Sequence, residues 1–572
     1  VDVGSAARDR TASEGSERRS PDPSAAARLR DELGITHTVA SVLAARGLVD
    51  PVATRAWLDP RLADLTPPDA MVDRKAAAER LTHAARRRAR VVVFGDYDVD
   101  GITSAAIMTS ALRAFGAEVV PILASRFDGG YGFSDRALAR VREASPDLVV
   151  TCDCGSSDHP RLDALRREGI DAIVIDHHLV PPEPLPVVAF LNPHRPECGF
   201  PFKGLASCGL ALSVAAAVRA ELGVAFDLRP LLDLVALGTI ADVAPLAGDN
   251  RALVRAGLTR IATAPRPGIE ALAEIAGVRP GNAISGEDVG FRFAPRINAP
   301  GRLGSPDPSL RLLLSQERDE ARSLAAALDQ DTRARREIER RIFEEACAQI
   351  AETDQASRPA IVVAGADWHV GVVGIVAARL VERFGVPTIV IALEGAGGRG
   401  SVRGPEGSRL YDALVRSRDA LAGFGGHQAA AGVHVTATAV ERLRDLFAQA
   451  CLDLAEGSPR DSRTKLAEVE LDPRDDPWAV VVDLERLEPC GEGNRAPLLS
   501  LPRAEVLAAR TMKGEHLRLV LGWEGRTIDA FGYGLAHASP PLRSRVDVIG
   551  ALRRDDYRGR GAVEVRLVRL ER

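Results

Sequence analysis

Long apolar runs are missing from these 572 residues: no stretch of about 18 consecutive apolar residues occurs, which excludes a helical membrane span and a membrane partner. The seven cysteines are few and odd in number, so no dense disulfide framework is expected and a reducing cytoplasm is the simpler location. Cys152 and Cys154 flank Asp153 without a second cysteine pair nearby, and read as buried small residues rather than zinc ligands. Lysine is nearly absent, with Lys75, Lys203, Lys465 and Lys513 the only ones; a GC-rich coding bias explains this skew towards arginine before any functional reading does. An excess of positive charge is lacking as well. The net charge of -5 provides no long-range attraction to phosphates, although a cation-loaded acidic crevice inverts the local sign.

The apolar fraction of 46% is ample for several cores, and the length predicts three or four domains. Residues 1–27, rich in Ser, Arg, Asp and Pro and without an apolar signal core, read as a disordered tail; the opening Val1 raises a translation-start ambiguity. Strand-like runs at 91–94, 119–123, 148–151, 172–175 and 187–191 alternate with helical stretches such as 104–115, 134–143 and 160–168, the pattern of a parallel α/β sheet. Mostly helical sequence follows, and the charged run at 316–345 reads as a solvated helix face. A second α/β unit opens at AIVVAGADWHVGVVGIVAARL, a polar linker spans 456–464, and short alternating runs then predict a small β barrel, with an OB-fold leading.

Four acid-bearing segments follow apolar runs: VVVFGDYDVDG (91–101), LVVTCDCG (148–155), AIVIDHH (172–178) and LVALGTIADVAPL (234–246). Carboxylates and imidazoles converging on one crevice need a compensating cation. Asp98 and Asp100 alternate in an extended turn, Asp153 and Asp176 follow strands, and Asp242 interrupts an apolar helical stretch where an unpaired carboxylate would cost several kcal/mol. One DxD turn alone is more often a helix cap, and one His pair can be a surface loop. The four together point to two divalent ions and phosphoester hydrolysis, with mixed oxygen and nitrogen donors favouring Mn2+ and allowing Mg2+.

The motifs GDYDVDG, TCDCG, DHH and GTIAD, in this order, resemble the DHH phosphoesterase superfamily; NAPGRLG, WHVGVVGIVAARL, RGSVRG, GFGGHQAAAG and EPCGEGNRAP narrow the likeness to its RecJ exonuclease family. The resemblance implies a catalytic DHH domain at 28–250, a helical connector at 251–345, a DHHA1 domain at 346–455 and an OB-fold at 465–572. It implies metal ligation by Asp98, Asp100, Asp153, His177 and Asp242, with Asp153 bridging, His178 at the scissile phosphate or leaving oxygen, and Asp96 and Asp176 in support. Phosphate and DNA contacts are expected from Arg126, Arg296, Asn298, Arg302, Ser401, Arg403, Gly425, Gly426 and His427, with His369 equally a turn residue. For each arginine a surface salt bridge is an even alternative. Cys490 stands where the family usually has an aromatic, and Pro300 where it has a small residue. With Trp523, Phe531, Tyr533 and Tyr557 the main terminal aromatics, the barrel is expected to hold backbone more than bases.

The function so implied is a metal-dependent 5′-to-3′ exonuclease on single-stranded DNA, releasing nucleoside 5′-monophosphates in recombination and repair. The partners so implied are a single-strand-binding protein and a helicase, and a monomer is expected. Two alternatives stand beside it: a phosphodiesterase of short oligonucleotides or cyclic dinucleotides, and a non-catalytic DNA-binding scaffold that should have lost acidic ligands.

Overall fold

In the computed structural model, the described residues are 22–127, 132–278, 283–426, 428, 430–455, 467–555, 559 and 561–571. The chain divides into two compact units: residues 65–461 with 491–493, and residues 1–64 with 462–490 and 494–572.

The larger unit is organised by a five-stranded parallel sheet built from β1 (Arg90–Gly95), β2 (Glu118–Leu123), β3 (Leu148–Cys152), β4 (Asp171–Ile175) and β5 (Ala189–Leu191). Its order is β2-β1-β3-β4-β5. β1, β3 and β4 are Val/Ile-rich and almost wholly buried, as strands covered on both faces must be. On one face Val92, Phe94, Val149 and Val174 pack with Phe133, Leu138, Leu162 and Leu165. The register sets the strand ends level: Gly95 lies opposite Cys152, Cys152 opposite Ile175, and Ile175 opposite Leu191. The next residues continue the ladder, with Asp96 N–H donating to Cys152 O, Asp153 N–H to Ile175 O and Asp176 N–H to Leu191 O. Three acids therefore leave the sheet side by side, at the carboxyl edge where open α/β sheets bind ligands.

Helices Gly248–Thr263, Pro267–Ala276, Ala294–Leu303, Asp307–Leu314 and Arg318–Glu352 lead to a second sheet. That sheet contains β6 (Ile361–Gly365), β7 (Thr388–Glu394), β8 (Gly397–Arg403), β9 (Gly423–Gly426) and β10 (Ala430–Thr436), in the order β6-β7-β8-β10-β9. The charged run expected to be solvated is only partly so. Asp329 and Arg335 are buried with Leu328 and Thr332 on one face of Arg318–Glu352, and Arg296 reaches Asp329 at 3.0 Å.

The smaller unit holds β11 (Val469–Glu470), β12 (Leu499–Met512), β13 (His516–Trp523), β14 (Arg526–Gly532), β15 (Arg545–Arg554) and β16 (Val563–Glu571). β12-β13-β14-β16-β15 close through β12–β15 pairing into a five-stranded barrel, the architecture of an OB-fold. Two expectations need correction here. Residues 23–27 are not tail but the start of helix Pro23–Leu33, capped by Asp22. Helices Pro23–Leu33, His37–Ala45 and Pro51–Leu58 do not belong with the first sheet either, because Leu29, Val39, Val42 and Leu43 share one core with Leu519, Leu521, Val546 and Val565. An amphipathic helix declares a buried face but not its partner. Residues 1–21 and 456–466 lie outside the described residues.

Because Leu43 is fully buried in that shared core, Leu43→Ala should destabilise the barrel by about 2–5 kcal/mol. Hydrogen exchange of β13 and β14 in the full chain should accelerate; unchanged protection there would show that the helices are not part of the barrel core.

Candidate active site

Local structure delivers each acid in a distinct way. Asp98 caps helix Val99–Ala114, accepting from Gly101 N–H at 3.0 Å. Gly101 can be only glycine, since a Cβ there would lie 2.6 Å from the Asp96 backbone. Asp100, in the first turn, accepts from Ser207 N–H at 2.7 Å and Cys208 N–H at 3.0 Å at the start of helix Ser207–Leu222. Those amides are free donors at a helix N-terminus and favour negative charge. Asp153 adopts a left-handed backbone, φ 63°, and accepts from the Ser207 hydroxyl at 2.9 Å. Asp242 ends helix Leu232–Ala241. It is followed by Val243 at φ 60°, a costly conformation for a β-branched residue that recurs at functional sites.

These groups meet. His177 Nε2 lies 3.4 Å from Asp153 Oδ1, 3.6 Å from Asp242 Oδ2 and 4.0 Å from Asp100 Oδ2. Among the described residues three donor sets fall within 4.8 Å: Asp96, Asp98 and Asp153; Asp100, His177 and Asp242; and Asp153, His177 and His178. Asp153 is common to the first and third. Asp96, expected in support, stands among the donors, with Oδ2 buried and unpartnered among the described residues. Asp176 is a positioning group: it accepts from Ser156, His177 and His178 N–H and holds His178 Nδ1 at 2.7 Å. Asn192, not foreseen, donates to His178 O at 2.8 Å.

The electrostatics of the cluster call for a cation. Burial, then the neighbouring carboxylates, push Asp96 and Asp153 well above the usual range and Asp242 up to about 8. Burial also raises Asp100, with the His177 charge opposing. Burial would depress His178, yet the Asp176 hydrogen bond and charge outweigh it and raise His178 to about 9. Burial likewise opposes Asp176, which the His178 contact still holds down to about 2. Among the described residues, His177 Nε2 is buried without a hydrogen-bond partner. Hard carboxylate oxygens with an orphaned imidazole nitrogen fit a divalent ion such as Mn2+ or Mg2+.

The same unit contains a cationic cluster. The Arg126 guanidinium lies 3.8 Å over the Tyr97 ring, Arg302 donates to Gly371 O at 3.2 Å, and Arg403 to Val402 O. Ser401 Oγ and Arg403 Nη2 converge on Gly374, at 3.1 and 3.3 Å from where its Cβ would stand. Burial, then the charges of Arg126 and Arg335, lower Arg302 to about 9; burial and Arg126 lower Arg403. Among the described residues, none of these three arginines forms an ion pair with a carboxylate, so the cluster is suited to an anion. Arg296 is occupied elsewhere by Asp329 and Arg292 O. Asn298 is half-buried on helix Ala294–Leu303. Gly425 and Gly426 lie in β9 against Gly432 and Ala431, and His427 lies outside the described residues. His369 accepts from Gly371 N–H and so orders its turn. The residues sequence reasoning missed are Ser207, Asn192 and Tyr97; the small residues of LASCG ahead of an apolar helix were the available signal for Ser207.

In the smaller unit Trp523 is buried and not available for stacking. His516, Phe531 and Tyr533 form a ring cluster with centroids 4.7–5.9 Å apart, with Arg566 over Tyr533. Tyr557 is outside the described residues.

Residues 90–239 match the DHH family, N-terminal domain, and residues 358–453 the DHHA1 domain, so the acidic sheet edge is that of a DHH-type protein. Residues 467–569 match the RecJ OB domain. The chain is 33% identical to the single-stranded-DNA-specific exonuclease RecJ of Bacillus subtilis, over 94% of this chain and 68% of that one. It is 37% identical to the RecJ of Thermus thermophilus, over 90% and 73%. The structure of Thermus thermophilus RecJ in complex with Mn2+ superposes with a TM-score of 0.81 at 32% identity, covering 96% of this chain and 78% of that one. The complex with Mg2+ gives 0.76 at 29%, covering 96% and 77%. The chain belongs to the RecJ family.

The raised carboxylates and His178 give a pH signature. Their folded forms hold more protons than the unfolded chain, so the metal-free protein should lose stability as pH rises from 6 to 9. Thermal denaturation with and without Mn2+ checks this: the metal should remove most of the pH dependence and its binding should release protons. A metal-free melting temperature that rises with pH over this interval would contradict the assignment.

Proposed function

We propose that this chain is a metal-dependent exonuclease that degrades single-stranded DNA from the 5′ end to nucleoside 5′-monophosphates, in DNA recombination and repair. The observation that carries the reading is the meeting of Asp96, Asp98, Asp100, Asp153, His177 and Asp242 at one sheet edge, in the same unit as an arginine cluster that has no carboxylate partner among the described residues. The RecJ relatives are named single-stranded-DNA-specific exonucleases, and Thermus thermophilus RecJ is seen with Mn2+ and with Mg2+.

Asp98, Asp100, Asp153, His177 and Asp242 would hold two divalent cations, Mn2+ by preference and Mg2+ as an alternative, with Asp96 completing the oxygen set and Asp153 common to both positions. Bound there, the cations supply charge neutralisation at phosphorus and activation of the attacking water. Ser207 and the amides of residues 207 and 208 fix Asp153 and Asp100, so the oxygens do not reorganise during reaction. His178, kept protonated through Asp176, donates from its ring to the leaving oxygen. Arg126, Arg302, Ser401 and Arg403 take the terminal 5′-phosphate and set the direction of travel. Among the described residues no helix is long and apolar enough to cross a membrane. We further propose a cytoplasmic monomer working beside a helicase and a single-strand-binding protein.

With Mn2+ and a 5′-labelled single strand, the wild type should release mononucleotides, and Asp153→Asn should lose at least about 1,000-fold in kcat. Equal rates for the two would remove Asp153 from the reaction. Arg403→Ala should reduce the preference for 5′-phosphate over 5′-hydroxyl ends by about tenfold; an unchanged preference would place the end-binding site elsewhere.

A further inference from the structure

The donors of the acidic cluster reach it on two separate tracks. Asp98, Asp100, Asp153 and His177 come from the sheet edge and from helix Val99–Ala114 behind it, whereas Asp242 arrives at the end of helix Leu232–Ala241. The chain leaves Asp242 through a short connection, residues 243–247, into helix Gly248–Thr263. Its first turn closes locally, with Val243 N–H donating to Ile240 O and Ala244 N–H to Thr239 O, both at 3.2 Å. The next polar groups find partners farther along the chain. Pro245 O accepts from Asn250 Nδ2 at 3.0 Å, and Leu246 N–H donates to Glu492 O at 2.8 Å.

Asn250 is wholly buried, and its amide nitrogen also donates to Gly204 O at 2.5 Å. Two carbonyls on one nitrogen fix the amide's orientation, since only its NH2 end can face them both. Its Oδ1 is left buried without a partner among the described residues, a cost that an apolar side chain at this position would not incur. Gly204 stands three residues before Ser207, whose hydroxyl holds Asp153 and whose amide holds Asp100. Pro245 stands three residues after Asp242. The two segments touch so closely that a Cβ on Gly204 would lie 2.6 Å from Pro245 Cγ. Asn250 therefore joins the segment that sets Asp100 and Asp153 to the one that sets Asp242. The glycines of CGEGN close the outer side. Residues 491–493 group with the larger unit; a Cβ on Gly491 would lie 2.7 Å from Leu246 Cδ1, and one on Gly493 3.5 Å from Pro245 Cβ.

We propose that Asn250 is a positioning residue for the two-cation site, fixing the span between Asp242 and the Asp100 and Asp153 pair, with residues 491–493 as the outer jaw of the same clamp. This rests on the two-cation site of the proposed function. The donor set of Asp100, His177 and Asp242 draws on both sides of the clamp, whereas that of Asp96, Asp98 and Asp153 lies on one. A slack clamp thus weakens one cation position and spares the other. Groups that orient metal ligands from outside are worth about 10- to 100-fold in affinity.

The test follows Mn2+ binding to the full chain by titration calorimetry, alongside strand degradation. The wild type is expected to bind two Mn2+ per chain. Asn250→Asp, which turns a carboxylate oxygen towards the two carbonyls, should weaken one of the two by about 10- to 100-fold and leave the other unchanged; excess Mn2+ should restore most of the lost degradation rate. Gly491→Val should weaken the same position, and Leu246→Ala added to it should recover wild-type affinity by making room for the new side chain. Wild-type affinities in both Asn250→Asp and Gly491→Val, or equal weakening of both positions in either, overturn the clamp alone. Should Asn250→Asp not fold, Gly491→Val and its rescue decide the matter on the same criteria. A wild type that binds two Mn2+ but leaves strands intact overturns the exonuclease reading and not the clamp; one that binds fewer than two overturns both.

Discussion

The desolvation of mutually repelling carboxylates is the constraint around which the larger unit is arranged. A parallel sheet with Gly95, Cys152, Ile175 and Leu191 in level register forces Asp96, Asp153 and Asp176 out at one height, and the strands beneath are too well buried to let them retreat. Each acid answers differently. Asp176 is satisfied by three backbone amides and His178, Asp100 by the start of helix Ser207–Leu222, and Asp96 and Asp153 are left strongly destabilised as anions. Such an edge is stable with protons or with metal cations, and at neutral pH the cations are the better counter-charge.

The arginine cluster is the complementary case. Arg302 and Arg403 are lowered by burial and by the neighbouring Arg126 charge, so the free protein also holds uncompensated positive charge. In the function proposed, a phosphodiester strand would satisfy both poles at once, its backbone anions at the arginines and, through the cations, at the acids. Binding and catalysis would then draw on the same electrostatic imbalance. This explains how a chain of net negative charge can still act on nucleic acid: the charges that matter are local.

Much of this was legible in the sequence. Runs such as VVVFG and AIVID declare buried parallel strands by their β-branched density, and acids placed at their ends declare a metal edge. The depth of Asp96 was not legible, because alternation in GDYDVDG says which acids share a side and not which lie deepest. Arg296 could not be assigned from PRINAPGR, since its partner Asp329 lies 33 residues away on a helix whose charges gave no sign of a buried face. The partnership of helices Pro23–Leu33, His37–Ala45 and Pro51–Leu58 with a barrel more than 400 residues later is of the same kind: an apolar stripe specifies burial, and only the folded chain specifies against what.

The central claim is that Asp153 is shared between two cation positions. Electron paramagnetic resonance of the Mn2+-loaded full chain tests it most directly, since two ions bridged by one carboxylate couple magnetically and isolated ions do not. The wild type is expected to show a spin-coupled pair at two Mn2+ per chain, collapsing to an uncoupled signal in Asp153→Asn. An uncoupled wild-type spectrum at saturation, or coupling that survives the loss of Asp153, would contradict the account.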